Sequence, residues 1–186
     1  LLMNLKNTNT KWLFVCAIAH EKKNKSRHLK DISFGVFALL KNKIPVKNIE
    51  IIIDEFEGYE DEIFVQQMLC QFDIKGIDKL DSIIKECQNE NFVVIFLGHG
   101  NENGLGTIPP IKSYQIIENL KSNNSLKCIA LIFFFFFAGV FNYVDLQKIS
   151  DLGEIENINI CLMGASHLNS SLSGGISIEY ANGVTT

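Results

Sequence analysis

Runs of consecutive hydrophobic residues alternate with amphipathic segments along most of the chain. Five of these runs have the length of a β-strand and are rich in Ile, Val and Phe, which is typical of strands that are buried on both faces. They predict strands at residues 12–19, 48–54, 92–97, 127–135 and 159–163. Hydrophobic residues at helical spacing between these runs predict helices at residues 30–42, 60–71, 77–87 and 113–120.

The alternation of strands and helices predicts an α/β fold. Helices that connect successive strands favour right-handed crossovers and a parallel sheet, so we expect a three-layer α/β/α sandwich with a mostly parallel sheet. Ligand sites of such sheets lie beyond the carboxyl ends of the strands. Asp54, His99, Phe136 and Ser166 fall near such ends.

The composition fits one domain and argues against two classes of partner. We treat residues 1–186 as a single domain, and the terminal residues are compatible with an excerpt of a longer chain. With 47% hydrophobic and 20% charged residues, the chain can bury a core. A net charge of −4 gives no electrostatic footprint for nucleic acid or for an anionic membrane. The apolar run at residues 129–140 is too short to span a bilayer, so we expect no membrane association.

The cysteines indicate a reducing compartment. They are Cys16, Cys70, Cys87, Cys128 and Cys161. Their number is odd, no pair has the spacing of a redox or zinc motif, and three of them fall inside predicted strands. We therefore predict reduced, buried thiols in a cytoplasmic protein, with no disulfide framework and no signal peptide.

The sequence carries no motif for a metal or a cofactor. His20, His28, His99 and His167 are scattered along the chain without the spacing of metal ligands. Neither a phosphate-binding P-loop nor a dinucleotide-binding fingerprint is present. We therefore expect no bound metal and no cofactor.

The turn that follows the third predicted strand carries the first indication of chemistry. Gly98 and Gly100 allow the backbone to turn tightly and to present His99 at the edge of the sheet. The N–H group of Gly100 is suited to approach a substrate carbonyl as one half of an oxyanion hole. The alternative interpretation is a turn histidine without a chemical role.

The fourth predicted strand ends in Phe136-Phe137-Ala138-Gly139. A turn of small residues after a buried strand is where α/β hydrolases hold their nucleophile. Residues 129–140 contain no Cys, Ser or Thr, and phenylalanine rings pack but do not attack a carbonyl group. This strand therefore lacks the nucleophile that His99 would activate.

Together, the segments at residues 97–100 and 137–142 resemble the caspase-like cysteine peptidases, the superfamily of caspases, legumain, gingipain and the bacterial CHAT domains. In that family one apolar strand ends in His-Gly, and the next ends in Cys, one residue, Ala or Ser, and Gly. The resemblance covers about residues 11–173. It implies peptide-bond hydrolysis by a Cys-His dyad, with His99 as general base or acid and the N–H of Gly100 in the oxyanion hole. The position of the family cysteine falls on Phe136, so we expect this chain to be inactive.

The spacing and the remaining loops complete the resemblance. Phe136 lies 37 residues after His99, against about 50 in caspases. The specificity pocket of the family corresponds to a small-residue loop with Ala165, Ser166 and Ser171, for which the alternative is an ordinary polar loop. Asp54 would favour a basic substrate side chain, or it is a solvated carboxylate at a strand end.

Three functions stay open at this point. The first is a caspase-like domain that binds peptides or protein segments without cutting them. The second is a non-catalytic binding module that shares only the fold. The third is a serine hydrolase that uses Ser166 in a broken nucleophile elbow. A peptide or protein is the expected partner, and the oligomeric state is left open.

Overall fold

The chain folds around a central parallel sheet, and the computed structural model describes residues 9–18, 25–55, 63–101, 104–107, 109–135 and 159–164. The strands are β1 (Thr10–Ala17), β2 (Ile49–Ile53), β3 (Asn91–Gly98), β4 (Gly100–Asn101), β5 (Gly104–Leu105), β6 (Cys128–Phe134) and β7 (Asn159–Gly164). The α-helices are α1 (Lys25–Lys41), α2 (Ile63–Leu69), α3 (Leu80–Lys85) and α4 (Ser113–Lys121). Short 3₁₀ helices lie at Val46–Asn48 and Ile77–Lys79.

Five strands form one sheet in the order β2-β1-β3-β6-β7, and every neighbouring pair in it is parallel. β1 pairs with β2 on one side and with β3 on the other. The connection from β1 to β2 therefore runs in one direction across the sheet, and the connection from β3 to β6 runs in the opposite direction. The direction changes between the carboxyl ends of β1 and β3, which is where open α/β sheets bind their ligands.

Two described helices pack on each face of the sheet, because the strands carry hydrophobic side chains on both faces. On one face, α1 and α2 contribute to a cluster that includes Phe14, Leu29 and Val65. On the other face, α3 and α4 contribute to a cluster that includes Phe92 and Ile116. This arrangement confirms the predicted α/β fold with a mostly parallel sheet and is compatible with a three-layer sandwich.

The predicted strands agree with the observed strands to within two residues at each end. The helices differ more. α1 begins at Lys25, five residues before its predicted start. Its buried side includes Leu29, Ile32 and Val36, and the basic residues of its first turn made this side hard to recognise in the sequence. The helix predicted at residues 77–87 is a 3₁₀ turn followed by the short α3. The first residues of the helix predicted at residues 60–71 lie outside the described residues.

The structure describes all five cysteines, and none of them forms a disulfide. Cys16 and Cys87 are buried and Cys128 is half-buried, but Cys70 and Cys161 are exposed, so the expectation of buried thiols is wrong for the last two. Cys70 follows the end of α2, and Cys161 lies in β7, the last strand in the described sheet order. A hydrophobic run at the edge of a sheet buries fewer of its side chains than the same run between two other strands.

Among the described residues, Lys75 alone forms an isolated bridge to β2, on the side away from β1. Lys75 forms an isolated parallel bridge to Ile52. The N–H of Lys75 donates to the carbonyl of Ile51, and the carbonyl of Lys75 accepts from the N–H of Ile53, each at 3.0 Å. The backbone of Lys75 therefore acts as a one-residue neighbour of β2.

Two lysines flank Glu50 at the same edge. The Nζ of Lys11 lies 2.9 Å from one carboxylate oxygen of Glu50, and the Nζ of Lys75 lies 2.8 Å from the other. Burial alone would raise the pKa of the Glu50 carboxyl, but the hydrogen bonds from the two lysines outweigh it and hold that pKa below its ordinary value of 4.5. The folded chain therefore stabilises the charged form of Glu50.

We predict that Glu50→Gln lowers the free energy of unfolding at neutral pH by about 1–2 kcal/mol, because it leaves two partly buried lysines without their carboxylate. The pKa of Glu50 is lower in the folded chain than in the unfolded chain. Ionised Glu50 therefore stabilises the fold when the pH is above the unfolded-state pKa, and this stabilisation is lost as the pH falls through the folded-state pKa. Urea unfolding at a series of pH values measures the difference between the two proteins. Glu118→Gln, at an exposed position of α4, is the control and should change little. A difference for Glu50→Gln that does not shrink in acid would contradict the assignment.

Candidate functional site

His99 directly follows β3, a central strand of the sheet. The last paired positions of this strand are Gly98 with Ala17 of β1 and Leu97 with Phe134 of β6. His99 therefore lies at the carboxyl edge of the sheet, beside the point between β1 and β3 where the connections change direction. Its side chain is half-buried. This is the position that the His-Gly turn predicted.

Gly98 has a backbone conformation that holds His99 against β1. Its φ is +118°, a value that residues other than glycine rarely adopt. A Cβ on Gly98 would lie 2.1 Å from the carbonyl oxygen of Ala17. The N–H of His99 donates to that same oxygen at 3.1 Å. The close approach of the two backbones thus requires glycine before the histidine.

The segment after His99 returns to it as a small antiparallel ribbon. Gly100 pairs with Leu105 between β4 and β5. The N–H of Gly106 then donates to the carbonyl oxygen of His99 at 2.7 Å, and a Cβ on Gly106 would lie 2.9 Å from that oxygen. The described residues of this segment thus hold the backbone of His99 from the side opposite β1.

The structure brings His28 next to His99, which the sequence did not predict. His28 lies in the first two turns of α1, and its side chain is buried, with 4% of its surface exposed. The ring centroids of His28 and His99 are 6.1 Å apart, and the rings are nearly perpendicular at 76°. The two histidines are far apart in the sequence, and they meet because the first turns of α1 lie beside the end of β3.

Burial and the neighbouring Arg27 both favour the neutral form of His28. The Nη2 of Arg27 lies 3.1 Å from the Nε2 of His28. A guanidinium group can only donate, so the Nε2 of His28 accepts and the ring is neutral, with its proton on Nδ1. Burial, with smaller contributions from Arg27 and from His99, lowers the pKa of His28 from 6.5 to about 4.

Asp54 braces the end of β1. One carboxylate oxygen of Asp54 accepts a hydrogen bond from the N–H of Ile18 at 2.8 Å, and the N–H of Asp54 donates to the carbonyl of Cys16 at 3.1 Å. The side chain is half-buried. The Asp54 carboxylate is therefore only partly solvated, and one of its oxygens is already occupied by a backbone hydrogen bond. The prediction that it favours a basic substrate stays a prediction.

Four of the predicted site residues lie outside the described residues: Phe136, Ala165, Ser166 and Ser171. The phenylalanine run that leads to Phe136 is described as far as Phe135. Phe133 and Phe135 are buried on the side of α3 and α4, and Phe134 points to the other face, with 48% of its surface exposed. The described part of the run therefore packs as a strand, as its composition predicted.

A cavity of about 630 Å³ lies away from His99. Its lining includes Lys11 and Glu50 near the amino ends of β1 and β2, together with Lys75 and Cys87. Its charged groups include the ion-paired cluster at Glu50, and the pKa of the Cys87 thiol is raised by burial, so the thiol stays protonated. The cavity therefore lies away from the carboxyl ends of the strands, and we do not assign it to the candidate site.

Two kinds of feature are absent from the described part of the chain. No group of three or more His, Cys, Asp or Glu residues there is arranged to hold a metal ion. Within the same residues, no helix combines the length and the hydrophobicity needed to cross a membrane.

Comparison of the chain with protein-family models, with curated proteins and with solved structures found no match. The assignment of a function therefore rests on the geometry around His99 and on the motifs of the sequence.

We predict that Gly98→Ala lowers the free energy of unfolding by about 2–4 kcal/mol, because it combines an unfavourable φ with a clash against the backbone of Ala17. Urea unfolding followed by circular dichroism measures the loss. Gly76→Ala is the matched control: Gly76 has a φ of −77°, and an added Cβ would meet only the side chain of Asp78. That side chain is exposed and can rotate away, so the control should change stability by about 0.5 kcal/mol or less. Equal stability of the two variants would contradict the prediction.

We predict that His28 makes the folded chain less stable in mild acid. The pKa of His28 is lower in the folded chain than in the unfolded chain. At a pH between these two pKa values, the unfolded chain binds more protons than the folded chain. The free energy of unfolding therefore falls as the pH decreases. The contribution of His28 should fall by about 2 kcal/mol between about pH 7.5 and about pH 5. Urea unfolding of the parent and of His28→Phe at both pH values measures it, and the variant should lose less stability. The same loss in both proteins would show that His28 is not the responsible group.

Proposed function

We propose that the chain is a caspase-like cysteine endopeptidase domain in which Phe136 takes the place of the nucleophilic cysteine. Such a domain binds a peptide or protein segment at the carboxyl edge of the sheet without cleaving it. The observation that carries this proposal is the position of His99, which follows a central strand at the point where the sheet connections change direction. An imidazole there is suited to exchange protons with a ligand that lies across the strand ends.

The register of β3 and β6 supports a paired site. Leu97 pairs with Phe134, so His99 and Phe136 each come two residues after a paired position of neighbouring strands. In the family that the sequence resembles, the histidine and the cysteine also follow two such strands. Because Phe136 lies outside the described residues, the support comes from the residues that precede it.

The side chains favour binding over cleavage. A histidine that acts as a general base accelerates acyl transfer only when a nucleophile is present for it to activate. Phenylalanine has no atom that can attack a carbonyl group, and its ring offers a hydrophobic contact for a bound segment. A cytoplasmic location belongs to the same proposal and is supported by the five free thiols.

We predict that the parent chain shows no thiol-dependent cleavage of a peptide library, and that Phe136→Cys is labelled by a peptidyl electrophile. Labelling should depend on His99, because a neighbouring base generates the thiolate, so adding His99→Gln should slow it by about 100-fold. Mass spectrometry of the intact protein and of its fragments measures the rate and the labelled position. The exposed thiols of Cys70 and Cys161 are first replaced by Ser to remove their background.

Phe134→Cys is the matched control for this experiment. Phe134 is exposed and lies two residues earlier in the same segment, so a thiol there is accessible to the reagent. Its labelling should be slow and should not change with His99→Gln. The proposal fails if Phe134→Cys and Phe136→Cys are labelled at the same rate. It also fails if His99→Gln leaves the labelling of Phe136→Cys unchanged, or if the parent chain cleaves peptides through a thiol.

A further inference from the structure

The backbone of His99 is held from two sides, but these contacts do not hold its ring. The N–H of His99 donates to Ala17, and its carbonyl accepts from Gly106. Rotation about the Cα–Cβ and Cβ–Cγ bonds is left to side-chain contacts, and a half-buried imidazole has several staggered positions available. A histidine that acts on a bound segment needs one of these positions to dominate.

The ring of His28 is a rigid neighbour of the His99 ring. The two rings form a nearly perpendicular contact with centroids 6.1 Å apart, a geometry that aromatic pairs favour. His28 is almost completely buried, and its helix packs on the sheet through Leu29 and Ile32. A ring fixed in this way restricts the rotation of the ring that packs against it.

Arg27 adds a second restraint to His28. Its Nη2 donates to the Nε2 of His28 at 3.1 Å, which fixes both the orientation of the His28 ring and its neutral form. A neutral His28 ring can pack closely against its neighbour, because it carries no charge that would need solvent.

We propose that His28, held by Arg27, is a positioning residue that sets the orientation of the His99 side chain at the carboxyl edge of the sheet. The orientation itself is independent of what the site binds. Its consequence for ligand chemistry rests on the proposed function, in which His99 faces the position of the family nucleophile.

The test measures the side-chain rotamer of His99 in the whole chain by NMR, through the three-bond couplings that report the Cα–Cβ torsion. The parent should show one dominant rotamer. His28→Leu removes the neighbouring ring and should give an average over two or more rotamers. Arg27→Met removes the restraint on His28 and should give a partial average, whereas Arg27→Lys keeps a donor and should restore the rotamer of the parent.

Ser33→Ala is the matched control for loosening of α1. Ser33 is buried on the same helix, and its hydroxyl donates to the carbonyl of Leu29 at 2.8 Å. This variant should leave the rotamer of His99 unchanged. The proposal is overturned if Ser33→Ala averages the rotamer as much as His28→Leu does, if folded His28→Leu keeps the single rotamer of the parent, or if the parent already samples several rotamers. If His28→Leu does not fold, the comparison of Arg27→Met with Arg27→Lys decides in the same way.

A second measurement separates this inference from the proposed function. In the Phe136→Cys background, His28→Leu should slow labelling by the peptidyl electrophile by about tenfold, and Arg27→Lys should change it by about twofold or less. If Phe136→Cys is not labelled at all while the His99 rotamer responds to His28→Leu as expected, the positioning role stands and the proposed function fails. Labelling that depends on His99 but not on His28 overturns the positioning role and leaves the proposed function intact.

Discussion

The close approach of β1 and β3 at their carboxyl ends is the constraint on which the site depends. The carbonyl oxygen of Ala17 accepts the N–H of His99, and it passes so near Gly98 that only a hydrogen atom fits there. The hydrogen bonding of the central strand pair therefore continues one residue past the strand and includes the histidine itself. A movement of the His99 backbone would disturb the hydrogen bonds at the centre of the sheet. We therefore expect this backbone to resist local opening as strongly as the core strands do.

The same constraint explains why a helix can contribute to the site. The connection that leaves β1 must cross to β2 on one face of the sheet, while the connection that leaves β3 crosses to β6 on the other. The first turns of α1 lie beside the end of β3 and bring His28 to His99. Two imidazoles from distant parts of the sequence meet there, and only one of them belongs to a recognisable motif. Burial and the neighbouring Arg27 keep the His28 ring neutral, which allows the two rings to pack closely.

The strands and the position of His99 were predictable from the sequence, because uninterrupted hydrophobic runs and the Gly-His-Gly turn are local signals. The order of the strands is a property of the whole chain, and the helical connections agree with several orders. His28 was not predictable as a site residue, since it lies in a basic segment that is typical of a solvated surface. Its burial follows only from the path of α1 across the sheet. Cys161 shows the converse, because a hydrophobic run does not reveal that its strand comes last in the described sheet order and leaves the thiol exposed.

The one-residue bridge at Lys75 has a consequence for how this protein meets other copies of itself. Edge strands with free N–H and carbonyl groups are templates for sheet extension between molecules. At the β2 edge, the backbone of Lys75 already occupies the carbonyl of Ile51 and the N–H of Ile53, and its ammonium group lies against Glu50. A strand from a second molecule would have to displace these two hydrogen bonds and disturb a charged cluster before it could pair there. The short segment between α2 and α3 thus makes pairing of another strand with β2, and aggregation by that route, less favourable.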